Sequence, residues 1–443
     1  MGRPSAVWAW PPFAAVLAMT SLPVFLWLPT LYSSLGIGLG AMGLILLLAR
    51  LGDAVLDPWI GQGCDRWPGG ARRIMSLATP VLALAVLALF RPPSGIPALP
   101  WLGCSLLAFT VAFSASSIAH AALGMTWGAG DAQEGTRLWT IREAWGLLGT
   151  LAATILPHVL GGPEHPEQGL RPLAVGLALA LPLLMWPALL TPESTRARAN
   201  APQPTVSSGP GLRWKVALAP LHDPFFRRLM AVFLVNGTAS ALPAATVVFF
   251  VRDRLEAGTL LPAFLISYMA AGAAGMPFWT RRAARVGDRR AWQEAILLAT
   301  AAFIWAVLLG RGQVWGYAAV CLAAGLALGA EVALPPAILS RHLAGDQTRR
   351  MEGRAFGWLG TAGKINLALA GAISLPLLDA VGFATGTANT PAALTTLSVV
   401  YAGLPCFLKA WAWKLLSNLE APKRPGPPDN KPEALDETDA ETT

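Results

Sequence analysis

The chain carries no charged side chain between Arg3 and Arg50. No buried helix of a soluble domain needs an uncharged stretch that long, but two crossings of an apolar layer about 30 Å thick do. Charged residues make up 13% of the 443 positions and hydrophobic ones 54%, whereas soluble chains are about 25% charged. Together these features exclude an ordinary soluble protein and imply a polytopic α-helical membrane protein. The 37 prolines and 44 glycines fit that class, because membrane helices tolerate both residues better than soluble ones. Cys64, Cys104, Cys321 and Cys406 lie too far apart for a disulfide framework or a metal-ligand spacing.

Apolar segments recur at 13–31, 37–58, 74–90, 99–124, 142–160, 171–190, 229–250, 260–280, 292–310, 314–340, 355–378 and 392–414, which predicts twelve spans. The first is too long for a signal peptide and lacks a sharp cleavage site, so it reads as a span. Basic residues collect on alternate loops: Arg66, Arg72, Arg73 and Arg137, then Arg196 to Arg228, Arg281 to Arg290, and Arg341 to Arg354. The opposite loops hold Arg91, Arg171, Arg252, Arg254 and Arg311. The positive-inside rule puts the richer side, and with it both termini, in the cytoplasm of a cell (inner) membrane protein. The net charge of +8 is then explained by topology and contact with the lipid bilayer, without nucleic acid.

The longest interior polar segment, 192–224, reads as a cytoplasmic linker between six-helix bundles at 1–191 and 225–419, and 420–443 as a disordered cytoplasmic tail. A weak repeat supports the halves. Gly61 to Arg73 follows span two and Trp279 to Arg290 follows span eight, each with a basic cluster expected on a short turn. Gly61, Asp65, Arg66, Arg72, Arg73, Arg281 and Arg285 are the expected cytoplasmic gate. Two related halves rocking about a central site is the design of secondary transporters. No phosphate-binding glycine motif, nucleophile motif or histidine metal motif is present, so neither an enzyme nor a cofactor is expected.

The Gly61–Arg73 loop resembles the cytoplasmic signature of the major facilitator superfamily. Arg50 to Gly61, with its Asp53…Asp57-Pro58 core, resembles the second-helix motif of the glycoside–pentoside–hexuronide:cation symporters, the melibiose-carrier group. Glu134-Gly135-Thr136-Arg137 with Arg142, Asn236-Gly237, Glu352-Gly353 and Lys364 follow in that family's order. The resemblance implies an all-α fold of twelve helices in two bundles and uptake of a small-molecule substrate coupled to H+ or Na+, with a monomer sufficient. Leu56 stands where the family's sodium users usually carry Asn, which leaves coupling to sodium, to protons or to neither open. Span one has no acid, with Leu17 near the family's sugar-binding position. Ser116 falls near the equivalent acid of span four.

Asp53 and Asp57 share one face of span two. Two carboxylates survive there by facing water, holding a proton or coordinating a cation; alternatively they cap or salt-bridge the neighbouring loop. Lys364, alone in its helix, needs a partner, and pairing with Asp53 or Asp57 would join the halves. Arg142, expected at the start of span five, could meet Asp53, an acidic substrate group, Glu143 or lipid phosphate. Glu331 precedes Pro335-Pro336, a pair expected to bend or break span ten, and could gate a pathway or pair with Lys364. His120 could bind substrate, shuttle protons or make an interhelical hydrogen bond. Asn236, Thr238, Ser240 and Thr246 are cavity candidates or helix–helix contacts. Tryptophans near span ends, including Trp10, Trp279, Trp292, Trp315 and Trp411, are expected as interfacial anchors.

These readings converge on a secondary active transporter of a small organic solute, with a glycoside-like solute as the expectation that the resemblance adds. The competing readings are an amphiphile, lipid or drug transporter on the same fold and a non-transporting assembly or receptor protein.

Overall fold

A computed structural model describes residues 10–33, 35–37, 39–66, 69–93, 95–128, 132–162, 166–190, 214–343, 351–383 and 389–419. Residues 192–213 of the expected linker and the tail 420–443 lie outside the described residues.

The described chain is built from twelve long helices: α1 Pro12–Ser33, α2 Leu39–Arg66, α3 Gly70–Phe90, α4 Ala98–Gly128, α5 Ala132–Gly161, α6 Leu170–Leu190, α7 Pro224–Phe249, α8 Leu261–Val286, α9 Asp288–Leu308, α10 Val314–Leu343, α11 Glu352–Asp379 and α12 Pro391–Ser417. Among the described residues, ten of them, α3 to α12, are long and apolar enough to cross a membrane. Helices are the economical solution there, because each satisfies its own backbone hydrogen bonds where water is absent. Asp223 caps α7 by accepting from the Phe225 amide at 2.9 Å, with Pro224 as its first residue; Thr390 caps α12 through the Ala393 amide at 3.2 Å. Gly287, with φ 87°, makes the corner between α8 and α9, a backbone region that favours glycine.

Several expectations change. α2 runs on to Arg66, so Gly61, Asp65 and Arg66 occupy its final turns and not a loop. Arg281 and Arg285 likewise ride the end of α8. α5 begins at Ala132, which puts Arg142 well inside the helix and not at its start. α10 continues as helix through Pro335 and Pro336; neighbouring helices can compensate the backbone groups that proline frees. The end of the linker is structured: Val216 and Ala217 offer their carbonyls to Arg354 and to Trp358 of α11. Trp186, Trp315 and Trp411 are exposed as anchors would be, but Trp10, Trp279 and Trp292 are buried. Trp10 donates to the His120 carbonyl and Trp279 to that of Leu326.

Within the first six helices α3 packs on α4 and α6, α1 on α5 and α2 on α4; within the last six, α10 packs on α8 and α9 and α7 on α11 and α12. The two sets meet along α2 with α11, α5 with α8, α5 with α10 and α4 with α11. At the α2–α11 seam a side chain on Gly353 would collide with the Gly61 carbonyl, and one on Gly357 with that of Asp57. Small residues let membrane helices approach this closely.

Candidate functional site: two buried charge clusters and a central cavity

The α2–α11 approach brings Lys364 into the first set of helices. Its Nζ lies 2.6 Å from Asp53 Oδ2, and donates to Asp57 Oδ1 at 2.8 Å and Oδ2 at 2.7 Å. Ser114 of α4 donates to Asp53 Oδ1 at 2.5 Å and accepts from Lys364 at 2.9 Å. The Asp57 side chain is 1% exposed and that of Lys364 25%. Two carboxylates and one ammonium leave a formal charge of −1 on this cluster when all are ionised. Such a charge in a low-dielectric setting is costly unless a cation or proton completes it. Asp53, Asp57 and Lys364 therefore meet as the residue types suggested.

A second cluster sits inside the last six helices. Lys409 of α12, 0% exposed, lies 2.6 Å from Glu331 Oε1 and donates also to Glu331 Oε2 at 2.9 Å, Ser240 Oγ at 3.0 Å and Asn236 Oδ1 at 3.3 Å. Ser240 donates in turn to Glu331 at 2.8 Å. One ammonium faces one carboxylate, so the cluster is neutral. The partner of Glu331 is Lys409, not Lys364. Thr238 donates to Asn366 at 3.2 Å and ties α7 to α11, whereas Thr246 bonds back within its own helix.

Between the two sets of helices lies a cavity of about 330 Å³. Its polar lining comes from Ser117, Arg142, Glu143, Asn236, Ser240 and Glu331, and the rest is apolar, with Trp139, Phe233 and Phe356 contributing rings. Arg142 is ion-paired with Glu143, not with Asp53, and its guanidinium carbon stands 5.2 Å from the Trp139 ring centroid. His120 is fully buried and faces away from this lining: its Nε2 meets the Trp10 carbonyl at 2.9 Å and its ring stacks on Trp10. Ser116 is also withdrawn, 3.3 Å from Thr79; its neighbours Ser114 and Ser117 face the charge cluster and the cavity instead.

The end of the bundle that carries the basic residues is held shut by acids. Asp65 accepts from the Gly353 and Arg354 amides at 2.6 and 3.1 Å and from Arg354 Nε at 2.8 Å. Asp288 lies 2.5 Å from Arg341 and accepts from Thr136 near the start of α5, at 3.1 and 3.2 Å. Each acid thus reaches the first turns of a helix in the other half, where the dipole favours negative charge. Arg66, Arg73, Arg281 and Arg285, expected in this gate, are exposed, and Arg72 is half-buried.

Residues 8–419 match the family described as MFS/sugar transport protein. The chain belongs to this family of major facilitator membrane transporters. No curated protein matches it. Among solved structures it resembles a bacterial homologue of the iron transporter ferroportin in an outward-facing state, at 14% identity and a TM-score of 0.67 over 93% of this chain and 98% of that one. It also resembles the fucose:proton symporter of E. coli, at 13% identity and 0.65 over 92% and 98%. The human organic anion transporter MFSD10 aligns at 15% identity and 0.68 over 94% and 100%. These likenesses establish the major facilitator fold: twelve helices in two six-helix bundles.

Within that fold, sequence reasoning missed Lys409, Ser114 and the cross-bundle roles of Asp288, Arg341 and Arg354. Lys409 was the findable one, since it lies inside the twelfth apolar segment and a membrane-embedded ammonium demands a partner.

Proposed function

We propose that the chain is a cation-coupled symporter of a small organic solute, working by alternating access between bundles at 1–191 and 225–419. The observation that carries the reading is Lys364 bound to both Asp53 and Asp57 across the bundle interface. A sodium ion, or a proton on one aspartate, neutralises the residual charge and lowers the cost of enclosing the cluster. That ties closure of the bundles to cation loading. The Asp–Asp–Pro motif, which resembles that of the glycoside–pentoside–hexuronide:cation group, supports the same assignment.

Arg142, Asn236 and Glu331 are the substrate side, as cavity lining. Asp65 with Arg354 and Asp288 with Arg341 and Thr136 act as locks of the cytoplasmic face, closed in the state described. The basic residues on that face orient a monomer in the inner membrane with both termini inside. A second reading, an amphiphile carrier, draws on the ring-rich cavity wall and on the absence of acids from α1 and α4 that could accept sugar hydroxyls.

Reconstituted vesicles with imposed sodium or proton gradients, offered sugars and amphiphiles, test the proposal. Gradient-driven accumulation that Asp57→Asn abolishes is expected. Gradient-independent movement of an amphiphile would select the second reading, and no flux by folded protein would remove both.

A further inference from the structure

The charged groups around the cavity are not equally spent. Both oxygens of Glu331 accept from Lys409, and one also from Ser240. Glu143 accepts from Arg142 through Nη1. The Arg142 Nε–H, by contrast, is buried with no partner among the described residues. The side chain is 15% exposed, so solvent does not readily replace one. A guanidinium N–H buried without an acceptor is expensive, and a carboxylate is the acceptor that fits the planar fork of arginine best.

The surroundings narrow the ligand further. Arg142 is stacked over Trp139, itself part of the cavity wall, with Phe233 and Phe356 beside it. At about 330 Å³ the space lies at the small end of ligand sites (about 300–1,000 Å³), enough for one ring and a short polar arm. Glu143 offsets the formal charge of the guanidinium but bonds through Nη1 and leaves the Nε edge open, so recognition depends on directional hydrogen bonds in a ring-lined, low-dielectric space.

Building on the carrier reading above, we propose that the substrate class is a small organic carboxylate with an apolar or aromatic ring, its carboxylate held by the free edge of Arg142 and its ring by Trp139, Phe233 and Phe356. Arg142 is then a substrate-binding residue, and the Glu331–Lys409 pair is a neutral part of the wall.

Equilibrium binding to the full chain in lipid nanodiscs tests this without any gradient, using phenylacetate, phenylacetamide and phenethylamine as probes. Phenylacetate is expected to bind saturably and at least about tenfold more tightly than the amide, with the amine weakest. R142Q is expected to erase the preference for acid over amide, and R142K to keep part of it, since lysine offers charge without the fork. Equal affinity for acid and amide, preference for the amine, an unchanged preference in folded R142Q, or no saturable binding of any probe would overturn the proposal. The acid–amide comparison on the native chain does not depend on any variant folding. Binding of phenylacetate by a chain that accumulates no solute under either gradient would remove the carrier reading and leave this site standing; coupled uptake of a neutral solute with no acid preference would do the reverse.

Discussion

Among the described residues two lysines lie among carboxylates inside the helices, Lys409 fully buried and Lys364 partly so, and they are not equivalent. Lys409 and Glu331 lie in one bundle, with Ser240 and Asn236 completing the shell. Nothing in a rocking motion separates them, and their charges cancel. Lys364 comes from one bundle and Asp53, Asp57 and Ser114 from the other. That cluster has to be remade when the bundles move, and it carries an uncancelled charge. The contrast separates a pair that holds a bundle together from one that can report whether a cation is bound.

The largest expected effect falls on the Lys409–Glu331 cluster. Lys409→Met leaves Glu331 ionised and unpaired, a loss of about 3–5 kcal/mol, read as a sharp fall in thermal unfolding temperature of purified protein. Adding Glu331→Gln should recover much of it. Equal tolerance of Lys409→Met and Lys364→Met would collapse the distinction between the clusters. Next, Lys364→Ala should cost less stability, because its head is partly exposed, yet reduce gradient-driven uptake to the level of empty vesicles. Unchanged coupled uptake would remove Lys364 from the mechanism.

The locks give a smaller effect. Asp65→Asn, or Asp288→Asn, should shift the balance toward states open at that end by about 1–2 kcal/mol, roughly a five- to thirtyfold change in population. Labelling of cysteines introduced beneath the lock would read it, and an unaltered labelling rate would show that the acid does not lock. Thr238→Val, which removes a hydrogen bond within one bundle, should cost only about 0.6 kcal/mol and leave ion coupling intact; a larger loss of coupling than of stability would contradict its assignment as a helix tie.

Much of the architecture was legible because the membrane imposes a one-dimensional rule. Uncharged runs of sufficient length must be helices, which is why the spans could be read off the chain. Helix ends were less legible: the polar final turns of α2 and the polar opening of α5 extend beyond the apolar runs, so the hydropathy pattern puts Asp65 in a loop and Arg142 at a helix edge. The candidate site was legible where charge was conspicuous. Asp53, Asp57 and Lys364 have no cheap fate in an apolar helix except one another. Ser114 carries no such signal, and only the crossing of α4 with α2 selects it over Ser116. His120 left several uses open in the sequence, and the geometry selects the hydrogen bond, which fastens α4 to the chain at Trp10.

The sequence by itself determined the membrane class and the helix count, and it marked the ionisable residues that had to be satisfied, because the cost of charge and of open backbone in an apolar layer depends on residue type and spacing alone. Which carboxylate each lysine meets, which acids bridge the halves at the basic end and which arginine edge is left without a partner among the described residues were decided only by tertiary structure. Those pairings depend on the crossing of helices far apart in the chain, and no local pattern encodes that geometry.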